Sequence, residues 1–373
     1  MLPTTPAAGI SLSHLDRMTD STGLIQHAIY SVPRLESGYT IDDNARALRL
    51  CVRLWDGQPE ERMLSRLTVY LSLLEYARRP KGGFHNLMSY QRQWLDTDAT
   101  GDCQGQAVRA LAEVLGSSLP QDYRTLAHEL IDGALPTLAE LRSLRAQAYV
   151  ILACGHLWAE RGQEGMNMEG FHKVARLAAH HLVECYQRSN RPGWRWFESR
   201  MTYANAVLPH ALFVAARCWP KEGFFEVARE SFAFLEEQTN ASRGSDGDVV
   251  FWPVGNNGWY SHGEAKAEYD QQPVEAVTMA EAALAGFDVT GDERYLATLR
   301  DAHGWFHGQN SMSMALADAR SGSCCDGLQL SGVNRNQGAE STLAYLWTEV
   351  HLREGQHRHN SAPPQPSADN AHR

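Results

Sequence analysis

The chain has 373 residues, 43% of them hydrophobic and 21% charged, and a formal net charge of −10. That balance describes a soluble globular protein and argues against a nucleic-acid partner, which needs a basic face. No apolar run approaches the roughly 20 residues of a membrane span, so no membrane partner is expected.

Met1 to Ser13 reads as a loose lead-in without the basic-then-apolar pattern of a secretory signal. The odd count of seven cysteines, scattered through predicted helices, suggests reduced thiols and a cytoplasmic location. Residues 14–355 then read as one domain of alternating helices. An inner set is predicted at 42–56, 103–116, 143–160, 204–218, 273–289 and 338–352, carrying little charge beyond the first turn. An outer set of mixed charge is predicted at 60–78, 121–140, 168–187, 222–238 and 293–308. The sixth outer partner is the least defined and is placed near the N-terminus. The segment 356–373, rich in Pro, Ser and His, reads as a disordered tail.

Each inner stretch opens on acids, amides or aromatics and then turns aliphatic. The openings are Tyr39-Thr40-Ile41-Asp42-Asp43-Asn44, Asp102-Cys103-Gln104-Gly105-Gln106, Ser143-Leu144-Arg145-Ala146-Gln147, Tyr203-Ala204-Asn205, Tyr269-Asp270-Gln271-Gln272-Pro273 and Asn334 to Glu340. Helix pairs recurring every 40 to 70 residues imply a repeat architecture. The expected fold class is all-α, an (α/α)6 toroid whose polar mouth suits a long hydrophilic ligand such as a sugar chain. The connectors at 81–86, 192–198, 251–260 and 321–336 are long and rich in Gly, Trp, Tyr and His, as functional loops on a rigid scaffold are. They have room for short β-hairpins but not for a large sheet.

The candidate catalytic groups are Asp42, Asp43, Asp270 and Glu340. Capping a helix takes one Asp; the adjacent pair Asp42-Asp43 exceeds that need, although a cap plus a bridge to Arg46, one turn on, is the plainer reading. Asp270 stands with two amides before Pro273, which suits a first helical turn. Glu275, a turn further in, is either a structural ion-pair partner or a carboxyl whose burial raises its pKa. For Glu340 the alternative is a first-turn acid favoured by the helix dipole, and for Asp326 it is a turn. Candidate ligand contacts are Tyr39, Arg46, His85, Asp102, Gln104, Trp194, Trp196, Asn205, Trp259, Tyr260, Gln271, Gln272, Asn336 and Gln337. Flat rings stack on pyranose faces and amides bind hydroxyls, but large aromatics also fill cores. Trp194 and Trp196 alternate around Arg195, so both rings can face one side of an extended segment.

Other chemistries lack their signatures. The chain has no Gly-x-Ser-x-Gly elbow, no phosphate-cradling Gly-rich loop and no Cys-x-x-Cys. His27, His85, His210 and His262 lack metal-ligand spacing, so no metal and no cofactor are expected.

The strings Thr19 to Ala28, Gly38 to Leu48, Tyr269 to Ala276 and Val333 to Leu343 resemble a bacterial family of six-hairpin (α/α)6 proteins. Its members are labelled loosely as glycosyltransferases or glycosidases, and some are associated with mannoside-processing enzymes. The resemblance runs from about His14 to Trp347. Gly101-Asp102-Cys103-Gln104-Gly105-Gln106 departs from a family pattern Glu-Asp-Ser-x-Gly-Arg, matching only at Asp102 and Gly105. The wider superfamily includes glycoside hydrolases, many of them inverting, sugar epimerases and polysaccharide lyases, and fold alone does not choose among these.

The expected function is hydrolysis of an oligosaccharide, mannose-containing by the resemblance, with one carboxyl as acid and another as base; the first pairing is Asp43 with Asp270. A sugar 2-epimerase or isomerase is the alternative, resting on His27, His85, His210 and His262. A third is a non-catalytic glycan-binding module serving a partner glycosyltransferase.

Overall fold

The structure, a computed structural model, describes residues 9–97, 101–159, 168–243 and 248–361. Twelve α-helices are found among them: α1 (Ser13–Met18), α2 (Ile41–Gly57), α3 (Glu61–Tyr76), α4 (Gly101–Leu115), α5 (Gln121–Leu138), α6 (Leu144–Ala159), α7 (Met168–Ser189), α8 (Val207–Cys218), α9 (Phe224–Thr239), α10 (Pro273–Thr290), α11 (Arg294–Phe306) and α12 (Ala339–Ser361). The even-numbered helices pack neighbour to neighbour, and α12 returns to α2, so they close a ring. Each of α3, α5, α7, α9 and α11 backs onto the inner helix before it, while the short α1 lies against α12 as the sixth outer element. This is the (α/α)6 toroid. Among the described residues the sheets are six antiparallel two-stranded pairs with no strand longer than 4 residues. The apolar core fills the space between the two rings, with side chains such as Leu48, Leu71, Leu111, Ile131, Phe213, Phe232 and Leu299.

Local chemistry accounts for the helix ends. Thr40 caps α2: its Oγ1 accepts the Asp43 N–H at 3.2 Å. Pro273 occupies the first turn of α10, and Gly291 ends that helix in the left-handed region at φ 70°. Two boundaries differ from expectation. Helix α8 starts at Val207, because Ala204 takes φ 46° and the Asn205 side chain is bonded to Thr202, making a turn of the segment read as helix. Helix α12 continues past 355 to Ser361, held by Arg358, which pairs with Asp288 on α10 and lies 3.7 Å from Glu354. The remainder of the expected tail and most of the expected lead-in lie outside the described residues.

The inner helices carry more charge than expected. Residues three and four apart share a helix face, and the face turned to the barrel axis reads Asp42, Arg46, Arg49, Arg53 on α2 and Asp102, Gln106, Arg109, Glu113 on α4. On α12 it reads Glu340, Ala344, Trp347, His351, Glu354. Halfway down, these stripes lock together. Arg49 reaches Glu113 at 2.6 Å and Glu281 of α10 at 3.2 Å; Arg109 reaches Glu281 at 3.1 Å. His156 of α6 lies 3.2 Å from Glu113, while His210 of α8 and His351 of α12 lie 3.8 and 3.6 Å from Glu281. All six inner helices therefore contribute to one buried polar layer centred on the Arg–Glu pairs. Burial opposes ionisation of Glu281, but Arg109 and Arg49 outweigh it and hold its carboxyl well below the usual range.

Removing one partner of such a lattice strands buried charge. Glu281→Gln is expected to lower stability by about 3–5 kcal/mol, read as a fall in the urea midpoint at unchanged m value.

Candidate active site

The N-terminal ends of the inner helices meet at one mouth. There the first turn of α2 offers Asp42 and Asp43, and Arg46 stands one turn below. Arg46 pairs with Glu340 of α12 at 2.6 Å, with Asp42 at 3.2 Å and with Asp43 at 3.7 Å. One guanidinium thus gathers three carboxylates. Asp43 is buried and also accepts the Thr40 hydroxyl at 2.6 Å. Asp42 keeps a quarter of its side chain exposed (25%), and its buried Oδ1 has no hydrogen-bond partner. Glu340 is more open, at 40%.

Burial raises the Asp42 carboxyl to about 7; Arg46 opposes this, and the charges of Asp43, Glu340 and Asp102 add to it. Asp43 is raised to about 6, again by burial first, with Arg46 opposing. The two lie next to each other and titrate as a pair.

Asp102 forms the adjoining arc of the mouth. It accepts the Ser143 hydroxyl at 2.8 Å and the Tyr203 hydroxyl at 2.6 Å. The Arg145 guanidinium lies 4.7 Å over the Tyr203 ring and pairs with Glu198 at 3.0 Å. Beneath the mouth is a void of about 30 Å³ lined by Arg46, Gln106, Tyr149, Thr278 and Glu340 among others. That is room for one or two waters among polar groups. A larger cavity, about 500 Å³, opens at the opposite end of the barrel, where Arg53, His156, His210, Arg217, His351 and Arg358 line it.

Several residues expected at the ligand are committed to the scaffold instead. Trp194 and Trp196 are buried; Trp194 donates to the Glu198 carbonyl at 2.7 Å, and both rings pack edge-on against other aromatics, so they offer no face to a sugar. Tyr39 is buried and donates to Asp20 at 2.6 Å. Gln104 clamps both backbone groups of Phe84, at 2.9 and 2.8 Å. Gln271 donates to the Glu268 carbonyl and Ser311 and accepts from Trp305. Asn205 bonds Thr202 and donates to Glu275 at 3.0 Å. In each case the amide or ring satisfies a neighbouring polar or apolar group that the linear order does not reveal.

Glu275 is likewise structural. It accepts the N–H groups of Ala204 and Asn205 as well as the Asn205 amide, pinning the strained turn before α8. Burial pushes its carboxyl up to about 7 while those donors oppose the shift. Asp326, read as a turn residue, accepts the Gly338 N–H at 2.7 Å just ahead of α12.

Other expected contacts remain open to ligand. Trp259, Tyr260 and Gln272 are partly exposed on the connectors before α10. Asp270 takes φ 54°, and its carboxyl makes no hydrogen bond or ion pair to a described residue. His85 stacks on Trp94 with ring centres 4.8 Å apart and lies 3.7 Å from Asp96. Asn336 accepts the Tyr30 N–H at 3.0 Å, and Gln337 stays partly exposed beside it. Of the histidines weighed for isomerase chemistry, His27 and His262 are exposed on loops, whereas His210 is deep in the barrel, pushed down to about 3 by burial.

The sequence placed Arg145 and Tyr203 in the polar helix openings but marked neither of them, nor Tyr149 or Glu198, as a ligand contact. A signal was present for two of them: Arg145 and Tyr149 repeat on α6 the four-residue step of Asp42–Arg46 and Asp102–Gln106.

No protein-family model and no curated protein sequence matches the chain. Solved structures do. A cellobiose 2-epimerase from Bacillus thermoamylovorans superposes with a TM-score of 0.69 at 13% identity, covering 93% of this chain and 96% of that one. A sugar epimerase from a ruminal bacterium gives 0.68 at 12%, covering 93% and 97%. An α-1,6-mannanase from Salegentibacter, an inactive variant altered at two consecutive aspartates and in complex with α-1,6-mannotetrose, gives 0.59 at 10%, covering 92% and 96%. At such identities the likeness establishes the fold: the chain has the (α/α)6 six-hairpin architecture of these sugar-active enzymes.

A carboxyl raised on folding adds stability that is complete below its unfolded pKa and is lost as pH rises through the folded value. Asp42→Asn is therefore expected to gain stability over the parent protein between pH 4 and pH 8, by on the order of 1–3 kcal/mol. Chemical denaturation of both proteins across that range measures the difference.

Proposed function

We propose that this protein is a glycoside hydrolase acting on a mannose-containing oligosaccharide at the carboxylate mouth, by an inverting acid/base mechanism. The observation that carries this reading is the gathering of three carboxyls around Arg46, with burial raising two of them. Asp42, raised to about 7 and with one oxygen unpartnered, can hold a proton at neutral pH and deliver it to the departing glycosidic oxygen. Glu340, paired with Arg46 and lining the water-sized void, is the base that activates water. Asp43, bonded to Thr40, orients Arg46 and adds negative charge that keeps the Asp42 proton in place. This replaces the first pairing of Asp43 with Asp270; Asp270 is assigned to a sugar hydroxyl at the rim, on the same connector as Trp259 and Tyr260.

The tetrasaccharide bound by the mannanase neighbour, and that enzyme's inactivation at two consecutive aspartates, support a sugar substrate and an adjacent Asp pair as chemistry this fold uses. We place the activity in a single catalytic domain of about residues 14–355, without a cofactor. The seven cysteines, which form no disulfide among the described residues, favour a cytoplasmic setting, and among the described residues no helix is long and apolar enough to cross a membrane. Any partnership with a glycosyltransferase or another mannoside-processing enzyme rests on the sequence resemblance.

Epimerase or isomerase chemistry is the second reading, and one observation favours it. His210 and His351 flank Glu281 beside the cavity of about 500 Å³, the kind of imidazole pair that moves protons on an opened sugar.

Incubation with a panel of manno- and gluco-oligosaccharides, followed by NMR, separates these. Hydrolysis yields new reducing ends, and an inverted first anomer confirms the mechanism. Asp42→Asn and Glu340→Gln are each expected to lower kcat by about 10²–10⁴, and Asp270→Asn to act mainly on KM. Full turnover in both of the first two variants moves the chemistry away from this mouth. Interconversion of free mannose with fructose or glucose favours the second reading; binding without turnover favours a glycan-binding module.

A further inference from the structure

Two imidazoles and a carboxylate converge at the seam between α11 and α12, on the face of α12 turned away from the barrel axis. His303 lies in the last turn of α11, and His307 is the residue that ends it, so the four-residue step puts both rings on one side. Glu349 faces them from α12. Its Oε1 is 2.8 Å from His303 Nε2 and 3.4 Å from His307 Nε2, and the three donor atoms lie within 4.8 Å of one another. The rings are 4.6 Å apart and inclined by 42°, both presenting Nε2 to the same oxygen.

The surroundings hold these groups in place. The backbone of His307 pairs with Ala315, and its ring meets Tyr345 edge-on at 5.8 Å. The second Glu349 oxygen lies 3.8 Å from Arg353, and the Tyr345 hydroxyl bonds the same carboxyl. His303 and His307 remain 19% and 36% exposed, which leaves a route from solvent.

We propose that His303, His307 and Glu349 form a divalent-metal site, with zinc as the ion. Zinc sits about 2.0–2.2 Å from N and O ligands, which places tetrahedral donors about 3.3 Å apart. The two separations from Glu349 Oε1 straddle that value, and the two Nε2 atoms, within 4.8 Å of each other, close by up to about 1.5 Å on loading. Two imidazoles and one carboxylate suit zinc far better than magnesium or calcium, which prefer oxygen alone. Three protein ligands leave the fourth position to water.

The location gives the ion a purpose. The sixth outer position holds only α1, six residues long, so the last inner helix has the least support in the ring. A metal joining α11 to α12 clips that closure. The site is remote from the mouth: Glu349 lies nine residues, about 14 Å of helix, beyond Glu340. The inference is therefore independent of the proposed hydrolase activity. It departs from the sequence-based expectation of no metal, which did not weigh His303-x-x-x-His307.

The test uses full-length protein stripped with EDTA. Titration with Zn²⁺ by calorimetry is expected to give one saturable equivalent and a rise in Tm, and Co²⁺ is expected to give the visible bands of a tetrahedral site. His303→Ala and Glu349→Gln should each weaken Zn²⁺ binding by at least about tenfold, and His307→Ala, at the most exposed ligand, serves if either fails to fold. A protein altered at both His357 and His359 should bind as the parent does, which separates this site from the terminal His-Arg-His. Absence of saturable binding, unchanged affinity in the site variants, or loss of the equivalent in the terminal variant overturns the proposal.

Discussion

Glu281 and the two guanidiniums it holds are the constraint around which this barrel is arranged. Six helices gather their N-termini at one end, and on α2, α4 and α12 the polar stripe that begins at the mouth runs on along the axial face toward the base. The charges that follow the mouth residues down each stripe must be neutralised in the interior. Arg49, Arg109, Glu113 and Glu281 do this across α2, α4 and α10, and the histidines of α6, α8 and α12 complete the circuit. A lattice of this kind adds little net stability over an apolar plug but penalises any shift of one helix along its neighbour.

The mouth inherits its electrostatics from that arrangement. Arg46 stands one turn above Arg49, and its position is fixed by the same helix. Helix N-termini favour anions, and Arg46 adds a full positive charge, yet burial of Asp42 and Asp43 beside Glu340 outweighs both and raises the two aspartates. The result is an aspartate pair that does not fully ionise near neutral pH. Acid/base chemistry on a glycosidic bond requires that condition. Where a carboxyl on the same rim is instead surrounded by N–H donors, as Glu275 is, it serves the backbone: it holds the turn that lets α8 begin at Val207.

Closure of the ring is its least symmetric step. Helix α12 packs on α10, α11 and α2, but its own outer partner is α1 alone. The side of α12 away from the axis carries Tyr345, Glu349 and Arg353 rather than a further apolar stripe, and polar groups gather where a full outer helix would otherwise cover it. Helix α12 also runs to Ser361 through Arg358, which ties its end to Asp288 of α10.

The sequence by itself determined the order, type and approximate limits of the helices and the end of the barrel at which the polar openings gather. Those properties are local: periodicity of apolar residues, a capping Thr40, a first-turn Pro273 and a terminating Gly291 act within a turn or two of chain. It also singled out Asp42, Asp43 and Glu340. Only the tertiary structure decided that Arg46 would bind Glu340, 294 residues away, that Trp194 and Trp196 would be core while Trp259 stays at the rim, and that Gln104, Asn205 and Gln271 would be consumed by backbone and side-chain partners. Each of those outcomes depends on which surfaces meet when the ring closes. A side chain's partners across a closed ring are set by the rotation and offset of whole helices, and no short window of sequence encodes these.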